Sequence, residues 1–312
     1  MINFRYHVVS LTAVFLALAI GLVVGTAALN GPVVDSIKER VNGLSKDNQL
    51  LRQSVQNMQK ELEQEEEFAA DMAQVFLPGQ LTDRRVLVLS LPSGRDQTDA
   101  VLEMLRISGA NVVGRVDLED KFIEPENNNN LMELATTAAR PTAPATGLPG
   151  NGHGVETSSA LLASVLLDRA EGVTPVTDAD RRAVLAAYIN AGYVAAEDRV
   201  GGPAEAVIVV SGQPYVDKDF GKKDESVVKV AEQFDRNGAT VVAGNGWTGG
   251  NLVAIVRGDP VLSQSISTVD NANTVTGQLV TVLALVQQVT EKKAGQYGVG
   301  DNAAARMPKL PE

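Results

Sequence analysis

Three patterns in this chain could do chemistry, and each needs particular elements to hold it. Residues 244–249 read GNGWTG, a match to GxGxxG directly after an apolar run. In a dinucleotide site the third glycine opens a helix whose N-terminus holds the pyrophosphate. Here residues 252–256, LVAIV, read as another strand, so the motif reads as a glycine-rich hairpin turn or bulge. No GxxxxGK[ST] phosphate loop occurs. Nucleophilic catalysis would need an activating base. The chain has no cysteine and two histidines: His7 beside the N-terminal apolar run, and His153 in a Gly/Pro-rich loop where it reads as solvent-exposed. Ser93, in PSGRD, has Arg95 and Asp96 nearby but no GxSxG elbow. Asp99 and Asp117 fall near element ends, where acidic residues are ordinary. Soft metal ligands would have to come from Met58, Met72, Met104, Met132, Met307 and His153. No two of these form a close-spaced pair. The sequence therefore assigns no catalytic residue, no cofactor-binding residue, no cofactor and no metal ligand, and the body reads as a non-enzymatic α/β domain.

The elements that would carry any such site begin with an anchor. Residues 8–29, VVSLTAVFLALAIGLVVGTAAL, contain no charged side chain and follow a short tail, 1–7. As a helix the run spans about 33 Å, enough for a hydrocarbon core of about 30 Å. It exceeds the h-region of a cleaved signal peptide, although Thr26, Ala27 and Ala28 would suit processing. Gly21 and Gly25, with Ala13 and Ala17, place small residues on one face, which suits close helix pairing in lipid. Arg5 precedes the run, and Lys38 and Arg40 follow it beside Asp35 and Glu39. The charge bias is close to even, but a short tail with a long body after it is the habit of a signal anchor. The expectation is a single-pass cell-membrane protein with the bulk of the chain extracytoplasmic.

Residues 33–77 switch to a period of seven. Position a takes Val34, Val41, Asn48, Val55, Leu62, Ala69 and Phe76, and position d takes Ile37, Leu44, Leu51, Met58, Glu65 and Met72. β-branched residues at a, leucine at d and one asparagine at a favour a parallel dimer. Gly21, Gly25, Val34, Ile37, Val41, Leu44, Asn48, Leu51, Val55, Met58 and Leu62 are the expected dimerisation residues of a homodimer. Glu65 lies within Glu61, Glu63, Glu65, Glu66 and Glu67, so the seam should be firm to about Leu62 and looser beyond. The alternative is one amphipathic helix docked on the body.

The remainder, 84–290, reads as an α/β globular domain with a Rossmann-like, mainly parallel sheet covered by helices. Short continuous apolar strands appear at 86–91, 111–116, 206–210, 239–243 and 252–256, with helices at 97–107, 226–234 and 275–289 between and after them. A Pro/Gly/Asn-rich loop occupies 124–154, with a short helix possible at 131–139, and helices resume at 156–166 and at 178–188, the last with Asp178 as N-cap. Residues 291–312 read as a flexible, glycine- and alanine-rich tail. The net charge of -11 and the lack of a basic patch argue against nucleic acid as a partner. Without cysteine there are neither disulfides nor thiolate metal sites.

Residues 3–21, NFRYHVVSLTAVFLALAIG, resemble the opening of the actinobacterial family described as copper transport outer-membrane proteins (MctB), as do 266–270, ISTVD, and 295–298, GQYG. The resemblance covers the order of elements: anchor, coiled coil, α/β body and glycine-rich tail. It implies copper transport or copper resistance. The acidic chain is also similar to the corynebacterial SteB-like members of that family. That likeness implies a scaffold in envelope maintenance and division, with a SteA-like partner and an indirect link to a peptidoglycan hydrolase. One apolar helix, strands without the alternation of a barrel and sparse copper ligands favour the scaffold over a pore, with copper handling or a degenerate ligand-binding domain or enzyme as alternatives.

Overall fold

The computed structural model describes residues 4–29, 32–139, 141–142, 147–170, 172–196, 200–246 and 250–309. The chain divides into two units, Met1–Glu65 and Glu66–Glu312.

The first unit holds α1 (Phe4–Leu29) and most of α2 (Pro32–Phe76). Phe4–Ala27 is the one helix among the described residues long and apolar enough to cross a membrane. Among the described residues its large apolar side chains are exposed, as expected of residues whose solvent is lipid. The heptad positions of α2 from Ile37 to Leu62 are likewise exposed in the single chain, and Val34 is half-buried.

The second unit opens with the last turns of α2. There the heptad frame gives way to a docking frame: Ala69 and Ala73 are buried, while Phe76 is exposed. The elements that follow are β1 (Arg85–Ser90), α3 (Arg95–Ile107), β2 (Asn111–Leu118), α4 (Asp120–Ile123), α5 (Asn128–Glu133), α6 (Gly154–Leu166), α7 (Asp178–Asn190) and β3 (Val194–Ala196). They continue with β4 (Ala206–Val210), α8 (Phe220–Asp235), β5 (Ala239–Ala243), α9 (Leu252–Gly258), α10 (Leu262–Ser265), β6 (Ser267–Val269), α11 (Val275–Glu291) and β7 (Gln296–Tyr297). The sheet order is β3-β2-β1-β4-β5-β6-β7. All neighbours are parallel except β3, which runs antiparallel to β2 at one edge. This is a Rossmann-like order, reversing between β1 and β4.

Two cores explain why the strands read as continuous apolar runs. Leu87, Leu89, Val207 and Val209 face a layer of α6, α7, α8 and α9. Val86, Val88, Ile208 and Val210 face α3, α11 and the end of α2. A sheet covered on both faces has no polar side to alternate with. The α6 helix is buried on every side, and its first residue, Gly154, lies so close to α5 that a Cβ would stand 2.0 Å from the Asn128 carbonyl oxygen.

Several local expectations are corrected. Residues 252–256 form α9, not a strand: Asn251 Oδ1 accepts from the Ala254 amide at 2.9 Å and starts a helix. The strand in that place is β6, whose Ser267 and Thr268 carry no apolar signal but are fully buried, with their hydroxyls bonded to Gln288, Arg257 and Gln296. At α7 the cap is Thr177, whose Oγ1 accepts from the Asp180 amide at 3.1 Å, and Asp178 sits in the first turn. The α8 helix begins six residues before the expected start at 226, because Asp219 and Phe220 open it after the charged loop. The segment after Glu291, expected to be loose, adds β7 to the sheet edge and is tied to the core up to Ala305.

Candidate functional site

In an open α/β sheet, ligands bind outside the carboxyl ends of the strands where the strand order reverses. Here that point lies between β1 and β4. After β1 the chain passes through a tight turn, Pro92–Gly94, into α3 on one face, and after β4 it crosses to α8 on the other. The floor between the two loops is filled by their own backbones. A Cβ on Gly94 would lie 2.3 Å from the Val210 carbonyl oxygen, and one on Gly212 would lie 1.6 Å from that of Ser93. Ser93 Oγ accepts from the Gly212 amide at 3.1 Å, and the Tyr215 hydroxyl donates toward the same oxygen at 3.5 Å. Burial holds the Tyr215 phenol above its ordinary pKa. The serine singled out in the sequence is thus a clamp between two loops.

A cleft of about 510 Å³ is connected to this floor through Tyr215 and Lys223. Its acids are Glu124, Glu126, Asp217 and Asp219, and its bases are Lys218, Lys222 and Lys223. Lys223 is the organising residue. Its Nζ is 2.7 Å from Asp217 Oδ2 and lies 5.7 Å from the centre of the Tyr215 ring. The hydrogen bond to Asp217 raises the Lys223 pKa and lowers that of Asp217, so the pair stays ionised. Both signs are interleaved, so the cleft carries no one-signed field to draw in a charged ligand. These residues were not legible as a site, because their only signal is position after a strand end.

The other candidates are dispersed. Arg115 holds Asp117 at 2.8 Å and Asp99 at 2.6 Å, which makes both acids parts of a structural ion pair. His153 is not a free loop residue. It is the N-cap of α6, its Nδ1 accepting from the Glu156 amide at 3.2 Å. A neutral imidazole whose Nδ1 accepts must carry its proton on Nε2, so in this pose neither nitrogen offers a lone pair to a metal. His153→Ala is expected to cost about 1 kcal/mol, the usual price of a lost cap, read by chemical denaturation. Among the thioethers, Met104 is in the core, Met58 and Met307 are exposed, and Met72 and Met132 are half-buried on α2 and α5. No group of three or more His, Asp or Glu side chains is arranged to hold a metal ion among the described residues.

The GxGxxG match begins at the end of β5, and its last three residues, 247–249, lie outside the described residues. The segment leads from β5 into α9, not into a second strand, so it does not form a β-hairpin. Gly246 takes φ +129°, a conformation reserved for glycine, and a Cβ there would stand 2.4 Å from Asn251 Nδ2. Asn251 caps α9, which has only seven residues, so the chain's own side chain occupies the place a phosphate would take. Among the described residues nothing lies within 4 Å of a Cβ on Gly21 or Gly25, and the heptad residues from Ile37 to Leu62 are exposed.

The family model described as "Copper transport outer membrane protein, MctB" matches residues 1–308. This chain belongs to that family. Proteins named "Copper transporter MctB" from Mycobacterium bovis and Mycobacterium tuberculosis are each 28% identical over 310 residues, covering 97% of this chain and 98% of theirs. The one from Mycobacterium leprae is 26% identical over 314 residues, covering 98% of each. In this family member the sheet is open, mostly parallel and covered by helices, unlike the closed antiparallel sheet of an outer-membrane barrel.

Proposed function

We propose that this chain is a copper-handling protein of the cell envelope, held by α1 as a single-pass anchor with its α/β body outside the cytoplasm. The observation that carries the reading is the family match over nearly the whole chain, with relatives named as copper transporters along almost their full length. Copper is cargo in this reading. One spanning helix among the described residues argues for a tethered component of a copper route and against a pore built by one copy. The test is deletion of the gene, with cellular copper and growth on copper as readouts. Raised copper content and copper sensitivity are expected, both reversed by the full chain. Unchanged content and tolerance would overturn the reading. Orientation is checked separately in the cysteine-free chain by Val216→Cys, a fully exposed position that a membrane-impermeant maleimide should label in intact cells.

A second reading is favoured by the uncovered heptad face of α2. In it the chain is an envelope and division scaffold, with a SteA-like partner and, through it, a peptidoglycan hydrolase. The same deletion separates the two readings, since the scaffold predicts envelope and septation defects without added copper.

A further inference from the structure

We propose that residues 34–62 of α2 form one half of a parallel, in-register two-stranded coiled coil with a second copy of this chain, and that the seam stops at Glu65 because the body takes over the helix there. Ile37, Val41, Leu44, Leu51, Val55, Met58 and Leu62 repeat along one face for about 38 Å. Each is between 53% and 69% exposed in the single chain. A continuous apolar stripe of that length marks an interaction surface.

The residue types specify the occupant. Valine at three of the five a positions and leucine at two of the d positions select two strands, and Asn48 at a pairs best with Asn48 of a parallel, in-register copy. The flanking charges agree. Asp47 at g faces Arg52 at the following e position of the second copy, an attractive pair in the parallel register. The next acidic pair would set Glu61 at g against Glu66 at e and repel. The structure removes Glu66 from that seam: its Oε2 accepts from the Val275 amide at 2.6 Å, at the N-terminus of α11. An anion is favoured there. One and two turns on, Ala69 and Ala73 are buried in the body. The stalk therefore ends where α2 begins to serve as a helix of the α/β unit.

The chain has no cysteine, so single cysteines report pairing directly. In the full chain, purified in lipid nanodiscs, Ile37→Cys, Leu44→Cys and Met58→Cys are each treated with a copper-free oxidant. Each is expected to shift to a disulfide-linked dimer. Lys46→Cys, at an outer heptad position, and Met72→Cys, where the heptad continues but the helix has docked, are expected to stay monomeric on denaturing gels. Four outcomes would overturn the proposal. They are no cross-link at the seam, and cross-linking at Lys46→Cys equal to that at the seam. The others are cross-linking only when Ile37→Cys and Met58→Cys are mixed, which marks an antiparallel pair, and capture of a different protein in place of the second copy.

Discussion

Asp270→Ala is expected to destabilise the α/β body by about 3–5 kcal/mol, the cost of leaving a buried charge without its partner. The side chains of Asp270 and Arg257 are each 2% exposed, with Arg257 Nη1 2.7 Å from Asp270 Oδ2. The carboxylate also accepts from the Val299 and Gly300 amides at 2.9 and 2.8 Å. Arg257 donates in addition to Thr268 Oγ1, the Asp301 carbonyl and the Tyr297 carbonyl. One ion pair thus ties α9, β6 and the segment beyond β7. Gly298 makes the geometry possible, since at φ +128° a Cβ would stand 2.2 Å from the carboxylate. The alanine variant strands a guanidinium and two amides away from water. Chemical denaturation should show the loss, and limited proteolysis should show cleavage after Glu291 before the body unfolds. Replacing both partners with apolar residues should cost less than the single change, because no orphaned charge remains. Equal costs for the single and double variants would show that the pair is not the tie.

Gly212→Ala is the second large effect. The added methyl would meet the Ser93 carbonyl at 1.6 Å, and neither group is the end of a flexible side chain. The Ser93 loop cannot simply retreat. Leu91 donates to the Val210 carbonyl at 2.9 Å, and Gly94 donates back to Leu91 at 2.8 Å. The ends of β1 and β4 must part, and the bond from the Gly212 amide to Ser93 Oγ is lost. Overpacking of this kind costs 1–3 kcal/mol, occasionally more, and a value of about 3 kcal/mol is expected. Amide exchange at Leu91 and Gly94 should rise with it. Gly221→Ala is the control, because a Cβ there meets nothing within 4 Å. A cost for Gly212→Ala within about 0.5 kcal/mol, the range of an ordinary surface change, would show that the two loops part freely.

The fold class was legible because burial on both sheet faces leaves a signal in the residue types. Val207, Ile208, Val209 and Val210 announce a central parallel strand by having no polar member. The same reasoning misplaced 252–256, since a five-residue apolar run fits a buried strand or a short helix equally well. What settles it is Asn251, whose capping bond depends on where the loop after β5 places it. The β6 strand was illegible for the opposite reason. Ser267 and Thr268 are polar by type and become core residues only because Gln288, Arg257 and Gln296 arrive from distant segments to bond their hydroxyls. The charged cleft shares that property. Glu124, Asp217 and Lys223 are unremarkable in sequence, and only the fold brings the segment after α4 beside the segment after β4.

By itself the sequence determined the apolar helix, the heptad face, the α/β class and the family resemblance. These are local or periodic properties, written in neighbouring residues. Tertiary structure alone decided that α2 leaves its heptad frame at Glu66, that His153 caps a helix, that the crevice floor is closed by Gly94 and Gly212, and that Asp270 pins the segment after β7. Each of these depends on a contact between residues far apart in the chain, where hydrogen-bond geometry and van der Waals contact act and periodicity carries no information.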